Sequence, residues 1–371
     1  MRTTKGLYIH IPFCISKCTY CDFYSVSKDT ETMEKYVNAL VEEIRFASNK
    51  NENLIIDTIY IGGGTPSVLP PFLFEKIVCA LRDNFVLEVK EFSMEANPAT
   101  NVLFETYKNL GVNRISLGVQ TLNDRLLKLI GRAHDAKTAL QTIENARKHF
   151  DNVSCDLMIG LPTQTMQDVE NSAKIIAKEV EHVSTYMLKL SSGVKMQKQI
   201  DSGVFELPDD DTFVDFYDKA YEVFESCGLK RYEISNFARD GFECKHNLKY
   251  WERKEYLGLG AAAHGFLGNV RYFNPSSVES YIAGINYGNG KEIREIIDEE
   301  TALFEKIMLG LRLPNGIDLA EINREFGIDF EKKFTSQLRN LKGILIKEGN
   351  KLFIKGDKLL LESAVAREFL D

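Results

Sequence analysis

The chain has 371 residues, enough for two or three structural units, and its composition is that of a globular protein. Hydrophobic residues make up 44% and charged residues 27%, which permits a sizeable core. The net charge of −8 argues against nucleic acid or an anionic membrane surface as a binding partner. The sequence contains no run of about 18 apolar residues, so we expect no transmembrane segment. The apolar stretch near the N-terminus is too short for a signal peptide.

Strands and helices alternate along the first 228 residues. Strands are predicted at residues 6–11, 55–61, 91–98, 112–120, 152–162 and 183–190. Helices are predicted at 31–47, after Pro70-Pro71, at 100–111, in two stretches that end by Phe150, at 167–180 and at 210–228. This alternation of about six units is typical of βαβ repeats with a parallel sheet.

Three of the seven cysteines follow the first predicted strand, in the segment "HIPFCISKCTYCDF". Cys14, Cys18 and Cys21 lie within eight positions, and no fourth cysteine follows them. A structural zinc site needs four ligands, so a zinc interpretation requires a further residue such as His10. An iron–sulfur cluster held by three cysteines instead keeps one iron open for another ligand. The other four cysteines are scattered, which suits a reduced cytosolic protein rather than a disulfide framework.

Polar and glycine features recur where the other predicted strands end. They are Gly62-Gly63-Gly64-Thr65, Glu95, Gln120, Arg132 in "LIGRAH", and Asp156 on the fifth strand. Each has an ordinary structural interpretation, such as a flexible glycine turn, a helix cap or a surface charge. Because ligands of parallel sheets bind at the carboxyl ends of the strands, the ordered set indicates one binding site.

The sequence pattern beyond residue 298 differs from the strand–helix alternation of the first 228 residues. Helices are predicted first, then a short hairpin, and finally a helix in "LLLESAVAREFL". This order is that of a small winged-helix-like domain. Lysines are mixed with acidic residues there, so we interpret the domain as a lid or docking surface rather than a DNA-binding module.

The motifs together resemble the radical SAM superfamily, with the pattern C-x3-C-x2-C and Tyr20 before the last cysteine. Within it the chain is similar to the family shared by oxygen-independent coproporphyrinogen III dehydrogenase and the heme chaperone HemW. The matching segments are "YIHIPFC", "GGGTPS", "EANP", "SLGVQ", "IGRAH", "DLMIGLP", "YEISNFA", "HNLKYW" and "GLGAAAHGF". The resemblance implies an α/β fold: a partial (β/α)6 radical SAM barrel at residues 1–230, a barrel extension at 231–297 and a small α+β winged-helix-like C-terminal domain at 298–371.

The resemblance also implies two cofactors. Cys14, Cys18 and Cys21 would hold three irons of a 4Fe–4S cluster, and S-adenosylmethionine would ligate the fourth. In the family, one electron from the cluster cleaves the sulfonium and yields a radical. The residues that the resemblance assigns to S-adenosylmethionine are Tyr8, Tyr20, Gly63, Gly64, Thr65, Glu95, Gln120, Arg132 and Asp156. We expect the backbone of Gly63 and Gly64 to approach the cofactor closely, which would explain why residues without a side chain occupy these positions.

Two functions remain open within this family. Coproporphyrinogen dehydrogenases carry a fourth cysteine where this chain has Phe23, and they have a longer N-terminal segment. Those differences, together with "HNLKYW", favour the heme chaperone, and no catalytic residue is assigned. His246 would lie in a loop and offer its imidazole to heme iron, with Tyr250 and Trp251 beside the macrocycle; the alternative is a histidine that only hydrogen-bonds within its loop.

The partners and location follow from the chaperone interpretation. They are heme, recipient hemoproteins in the cytosol or at the membrane, and an electron donor such as a flavodoxin or ferredoxin. We expect a cytoplasmic protein, and a peripheral association with the membrane stays open.

Overall fold

The computed structural model describes residues 4–51, 54–286 and 292–370. The strands of the first sheet are β1 Thr4–Ile11, β2 Ile55–Gly63, β3 Val86–Ala96, β4 Arg114–Gln120, β5 Asn152–Ile159, β6 His182–Met187, β7 Lys230–Arg231, β8 Asn236–Ala238, β9 Tyr256–Leu259, β10 His264–Leu267, β11 Val270–Phe273 and β12 Glu292–Ile296. A second sheet contains β13 Ile317–Asp318, β14 Leu345–Glu348 and β15 Lys351–Ile354.

Helices connect these strands. They are α1 Thr30–Lys50, α2 Pro71–Asn84, α3 Phe104–Asn109, α4 Asp124–Leu129, α5 Ala136–Arg147, α6 Met166–Glu179, α7 Lys195–Asp201, α8 Asp210–Ser226, α9 Lys245–Trp251, α10 Val278–Asn286, α11 Glu299–Leu311, α12 Leu319–Phe326, α13 Phe330–Lys333, α14 Thr335–Asn340 and α15 Glu362–Arg367. Two 3₁₀ turns lie at Pro66–Val68 and Gly356–Leu361.

Six parallel strands, β1 to β6, form the centre of the first sheet in chain order. Each is followed by helical structure, the arrangement that parallel pairing requires. The sheet continues past both ends of this set: β9 pairs with β1 in parallel, and β8 pairs with β6 antiparallel. Among the described residues it contains twelve strands in the order β12-β11-β10-β9-β1-β2-β3-β4-β5-β6-β8-β7. The partial (β/α)6 barrel is thereby confirmed, with an antiparallel extension.

Helix α1 shows why the sequence forms these outer helices. Asp29 caps it by accepting from the backbone N–H of Thr32 at 2.9 Å. One face is apolar at helical spacing, and Tyr36, Leu40 and Ile44 on that face are fully buried. The same pattern in the other helices builds one continuous core between helices and sheet.

The C-terminal segment has a core of its own. Ile307, Leu311, Phe330, Ile354 and Val365 are buried there beside the three-stranded sheet. This helix-and-hairpin unit confirms the expected small α+β domain. It contacts the barrel extension through an ion pair, in which Arg312 Nη2 donates to the buried Glu233 Oε2 at 2.9 Å.

Several element boundaries differ from the prediction. Strand β3 begins at Val86, five residues before the predicted start, because its first half alternates exposed and half-buried residues. Helix α7 was not predicted, since its seven residues bury Met196 alone and so carry no helical apolar repeat. In the part of the chain that the structure describes, no helix is long and apolar enough to cross a membrane.

Candidate functional site

A cavity of about 350 Å³ opens at the carboxyl ends of the central strands. It lies where the parallel-sheet rule places ligands. Of the residues predicted for the site, those lining it are Cys14, Cys18, Tyr20, Cys21, Gly63, Gly64, Thr65, Glu95, Gln120, Arg132 and Asp156. We call this space the cofactor cavity. Eleven residues scattered over more than 140 positions of sequence are thus brought to one place.

The three clustered cysteines are all half-buried and reduced, and they face the cofactor cavity. Cys14 Sγ lies 3.5 Å from Thr65 Oγ1, and Arg132 Nη1 donates to Cys18 Sγ at 3.5 Å. Burial, together with the neighbouring Cys18 and Cys14, raises the pKa of Cys21 to about 11. Negative charge on the Cys21 thiol therefore needs a positive partner, which an iron ion would supply.

The thiols do not converge on one point. Within the described ranges, no three Cys, His, Asp or Glu side chains are arranged to hold a single metal ion. A mononuclear zinc site needs such convergence, with every sulfur about 2.3 Å from one ion. A cluster spreads its thiolates over separate irons, and three cysteine thiols beside one cavity are a donor set that fits such a cluster.

Two neighbouring segments hold the cysteine loop. The backbone N–H of Thr19 donates to Ile130 O at 3.1 Å, which ties the loop to the "LIGRAH" segment. The N–H of Met196, at the start of α7, donates to Thr19 O at 2.8 Å. Ser191 Oγ donates to Asp22 Oδ2 at 2.5 Å. The segment "SSGVKMQ" therefore packs against the cysteine loop and is hydrogen-bonded to it.

The structure gives a packing reason for the glycines in the loop after β2. A Cβ on Gly64 would lie 2.7 Å from Phe13 O, and Gly64 N donates to Ile11 O at 2.9 Å. Gly63 has φ +108, and a Cβ there would collide with the His10 ring. The expectation that the missing side chains let a cofactor approach stays a prediction. Close approach of the chain's own β1 segment excludes them.

Glu95 joins the glycine loop to the sheet. Its Oε2 accepts from Gly63 N at 3.0 Å and its Oε1 accepts from the Tyr60 hydroxyl at 2.9 Å. Burial, together with the nearby carboxylate of Asp156, raises the pKa of Glu95 to about 7. Burial also raises the pKa of Asp156 to about 6. Two carboxyl groups that titrate near neutrality thus face the cavity beside Arg132.

Arg132 and Gln120 sit beside an irregularity in β4. The pairing of β4 with β5 shifts between Leu117 and Gln120, and Gln120 itself has φ +71. Strain of this kind in a residue other than glycine persists at functional sites. Arg132 Nη2 donates to Gly118 O, while its buried Nε has no hydrogen-bond partner among the described residues. The guanidinium therefore keeps a donor for an anionic ligand group.

Tyr8 lies outside the cofactor cavity. It lines a second cavity of about 410 Å³, to which Asp22 and Phe23 also contribute. Its hydroxyl hydrogen-bonds His10 Nδ1 at 2.9 Å, and His10 Nε2 hydrogen-bonds Tyr24 O at 3.1 Å. Both nitrogens of His10 are therefore engaged away from the cysteines.

His246 is not in a loop, and that prediction is wrong. It lies in helix α9, whose N-terminal N–H groups bond the buried Glu91 carboxylate: Lys245 N donates to Glu91 Oε2 at 2.7 Å. The His246 ring is fully buried, with Nδ1 3.0 Å from Thr58 Oγ1 and Nε2 2.8 Å from the Tyr250 hydroxyl. Burial lowers its pKa to about 4, so the ring is neutral. The helix was missed because "HNLKYW" has no apolar repeat and its core-facing residues are polar.

Several residues of the cofactor cavity were not predicted from the sequence. They include Asn97, Ser116, Tyr186 and Lys189. Ser116 Oγ donates to Asp156 Oδ1 at 3.3 Å, and Tyr186 is the next-to-last residue of the sixth strand. The rule that ligands meet strand ends, applied to β6, would have found Tyr186.

Comparison with known proteins agrees with this architecture. The family model of the radical SAM superfamily matches residues 8–176, and that of the HemN C-terminal domain matches residues 297–354. The solved structure of coproporphyrinogen III oxidase (HemN) from Escherichia coli superposes with a TM-score of 0.88 at 21% identity, covering 99% of this chain and 90% of that one. The fold is thus that of a radical SAM protein.

Curated relatives show to which family within the radical SAM superfamily the chain belongs. Heme chaperone HemW of Lactococcus lactis subsp. lactis (strain IL1403) is 37% identical over 347 residues, covering 92% of this chain and 90% of the relative. Heme chaperone HemW of Bacillus subtilis (strain 168) is 35% identical over 381 residues, covering 99% of both chains. The chain belongs to the HemW family of heme chaperones, which confirms the resemblance seen in its motifs.

Proposed function

We propose that this protein is a heme chaperone with a radical SAM core, which binds heme and delivers it to hemoproteins. The observation that carries the proposal is similarity to proteins named heme chaperones over nearly the whole chain, C-terminal domain included. Phe23 adds support, since the dehydrogenase group has a cysteine there. Recipient hemoproteins, in the cytosol or at the membrane, are the partners that this function requires. A cytoplasmic location fits the proposal.

The cysteine loop would hold a 4Fe–4S cluster. Cys14, Cys18 and Cys21 face one cavity without converging on a single point, which suits three thiolates on three irons. When bound, the cluster would supply electron transfer at its open iron. Arg132, whose guanidinium touches Cys18, would offset the negative charge of the thiolates. An electron donor of the flavodoxin or ferredoxin type would reduce the cluster.

S-adenosylmethionine would bind beside that cluster. Its carboxylate would meet Arg132, whose buried Nε lacks a partner, and its positive amino group would meet the carboxyls of Glu95 and Asp156. Gln120 and Thr65 would contact the remaining polar groups, and Tyr20 would shield the loop from water. Gly63 and Gly64 would shape the wall rather than donate their N–H groups, because Glu95 and Ile11 already accept from these.

Heme ligation by His246 stays a prediction. The ring is neutral, as iron ligation requires, but both nitrogens are hydrogen-bonded within the sheet interior. For His246 to reach iron, the Tyr250 hydroxyl bond must break and α9 must move.

The alternative function is oxygen-independent coproporphyrinogen III dehydrogenase. The structural similarity to the Escherichia coli oxidase supports the shared fold, and at 21% identity it supports the fold alone. Relatives of higher identity are named heme chaperones, so we retain the chaperone as the proposal.

Heme delivery is tested by a transfer experiment. The protein is loaded with one equivalent of hemin under anaerobic conditions, separated from free hemin and mixed with an apo b-type cytochrome. We expect the cytochrome spectrum to appear faster than from the same concentration of free or albumin-bound hemin. A protein that binds no hemin, or that never gives it up, would contradict the proposal.

A further inference from the structure

Two residues of the sequence motifs lie outside the cofactor cavity and contact the same side chain. Tyr8 belongs to "YIHIPFC" and lines the second cavity, and His246 belongs to "HNLKYW" and is buried in α9. The shared contact is Tyr60 of β2, which was not among the predicted site residues. The Tyr60 ring stacks on Tyr8 with centroids 6.3 Å apart, and its centroid lies 5.5 Å from that of His246. Two motifs therefore meet on one tyrosine.

Tyr60 in turn holds Glu95. Its hydroxyl donates to Glu95 Oε1 at 2.9 Å, while the N–H of Gly63 donates to Oε2 at 3.0 Å. Each carboxylate oxygen thus has a donor, which fixes the orientation of the group and leaves further lone pairs for a ligand. Glu95 lines the cofactor cavity, and Tyr60 is not among the residues that line it. Tyr60 would therefore act on a ligand through Glu95.

Gly62 makes room for this pair of side chains. A Cβ on Gly62 would lie 2.8 Å from Glu95 Oε1 and 2.9 Å from Tyr60 Cε1. Such distances are too short for a real Cβ, so a larger residue would displace one of the two side chains. The φ of Gly62 is not in the left-handed region, so the backbone itself would accept alanine. The first glycine of "GGGTPS" therefore permits the contact between Tyr60 and Glu95.

The His246 ring is a fixed support for Tyr60. Its Nδ1 is hydrogen-bonded to Thr58 Oγ1 at 3.0 Å and its Nε2 to the Tyr250 hydroxyl at 2.8 Å. Thr58 precedes Tyr60 by two positions in β2, so the two side chains share a face of the strand. A neutral ring bonded at both nitrogens has little freedom to turn, and the Tyr60 ring packs against it.

Only two of the groups around Glu95 titrate near neutrality, Glu95 itself and Asp156. The titratable and charged groups that act on Glu95 are Tyr8, Tyr60, Arg114, Asp156, Tyr186 and Tyr250. Burial raises the pKa of all four tyrosines, so they stay neutral, and Arg114 stays charged. Arg132 lines the same cavity. The Tyr60 hydroxyl favours the charged form of Glu95, so its removal should raise the pKa of Glu95.

We propose that Tyr60 is a positioning residue of the cofactor cavity, which orients the Glu95 carboxylate for a ligand, and that His246 acts through Tyr60. The inference rests on the proposed function, which supplies S-adenosylmethionine as the ligand whose positive amino group meets Glu95. It gives "HNLKYW" a role at the cofactor cavity that requires no movement of α9.

Carbon-13 NMR of the full-length protein, labelled at glutamate side-chain carboxyls, tests the link without any ligand. The Glu95 resonance is assigned by its loss in Glu95→Gln. Tyr60→Phe removes one hydroxyl and should move the midpoint of the Glu95 titration to higher pH, and Gly62→Ala should do the same. Tyr217→Phe is the matched control, because its buried hydroxyl donates to Ile234 O at 2.6 Å and it lines neither cavity. An unchanged midpoint in Tyr60→Phe would overturn the proposal.

Calorimetry on anaerobically reconstituted protein tests the consequence for binding. Tyr60→Phe should bind S-adenosylmethionine about fivefold more weakly than wild type at pH 7, because more of its Glu95 is protonated. The difference should narrow by pH 8.5, where Glu95 is mostly charged in both proteins. Equal weakening at both pH values would point to a structural defect and contradict the role of Tyr60.

His246→Ala tests the support of Tyr60. It should raise the titration midpoint of Glu95 in the wild-type background and leave it unchanged in a Tyr60→Phe background, because the effect passes through the Tyr60 hydroxyl. Equal shifts in the two backgrounds would overturn the role of His246. Gly62→Ala leaves α9 untouched, so it still tests the Tyr60 contact if His246→Ala does not fold. Absence of S-adenosylmethionine binding in wild type would remove the cofactor proposal, whereas the NMR titration decides separately whether Tyr60 controls Glu95.

Discussion

Glu95 shows how one residue connects the sheet, the glycine loop and the cavity. Its carboxylate accepts from Tyr60 and Gly63, yet burial and the neighbouring Asp156 hold its pKa at about 7. Its two hydrogen bonds favour the charged form but do not outweigh the loss of solvation. The charge of Glu95 therefore changes within the physiological pH range.

The raised pKa of Glu95 predicts that the affinity for S-adenosylmethionine depends on pH. A positive amino group binds the deprotonated carboxylate, so affinity should rise with pH through the pKa of Glu95, by roughly tenfold between pH 6.0 and 7.5. Calorimetry at several pH values measures this slope. Glu95→Gln should flatten it, whereas Glu105→Gln on the exposed surface of α3 should leave it unchanged. An equal slope in wild type and Glu95→Gln would refute the assignment.

The cysteines give a second prediction at this scale. Oxygen-free protein should contain about four irons and four sulfides, because three thiolates and one exchangeable ligand complete a 4Fe–4S cluster. Replacement of Cys14, Cys18 or Cys21 by Ala should remove the brown chromophore. Cys79→Ala, at an exposed position on α2, is the control and should retain it. A full cluster in the triple variant would show that other cysteines hold it.

At the scale of elements, a buried ion pair holds helix α9 against strand β2. Lys249 Nζ lies 2.8 Å from Asp57 Oδ1 of β2, and the two side chains are only 8% and 9% exposed. Thr4 Oγ1 also donates to Asp57, at 2.7 Å. Breaking such a pair leaves one charge buried without a partner.

Lys249→Met should therefore lower the free energy of unfolding by about 3–5 kcal/mol. Urea denaturation followed by circular dichroism measures the change. Lys230→Met is the matched control, because the Lys230–Asp240 pair has the same 2.8 Å distance with side chains 65% and 77% exposed. An exposed pair contributes about 0–1 kcal/mol. Equal losses in the two variants would show that burial of the α9 pair is not what stabilises it.

The elements also show what the sequence could predict. Strands β1 to β6 and helices α1, α2, α6 and α8 were predictable, because buried strands and amphipathic helices have distinct apolar spacings. Helix α9 was not, because it turns the polar side chains of His246 and Lys249 toward buried partners. Tertiary contacts, rather than local pattern, make that segment helical.

At the scale of the whole molecule, the cofactor cavity was predictable and the second cavity was not. Strand order brings Glu95, Gln120 and Asp156 together, so a rule about strand ends suffices for them. The second cavity joins Tyr8 and Tyr24 to Tyr250 and His264 through the pairing of β1 with β9. The paired residues of β1 and β9 lie about 250 positions apart in the sequence, and no local sequence pattern predicts that they pair.

Turnover of coproporphyrinogen III is the measurement that tests the account most directly. One anaerobically reconstituted sample is divided: one part is titrated with hemin, and the other is incubated with coproporphyrinogen III, reductant and S-adenosylmethionine. We predict hemin binding near one equivalent and no formation of protoporphyrinogen IX, because Phe23 stands where the dehydrogenases have cysteine. Product at many turnovers per protein, without stoichiometric hemin binding, would contradict the chaperone account and establish the dehydrogenase.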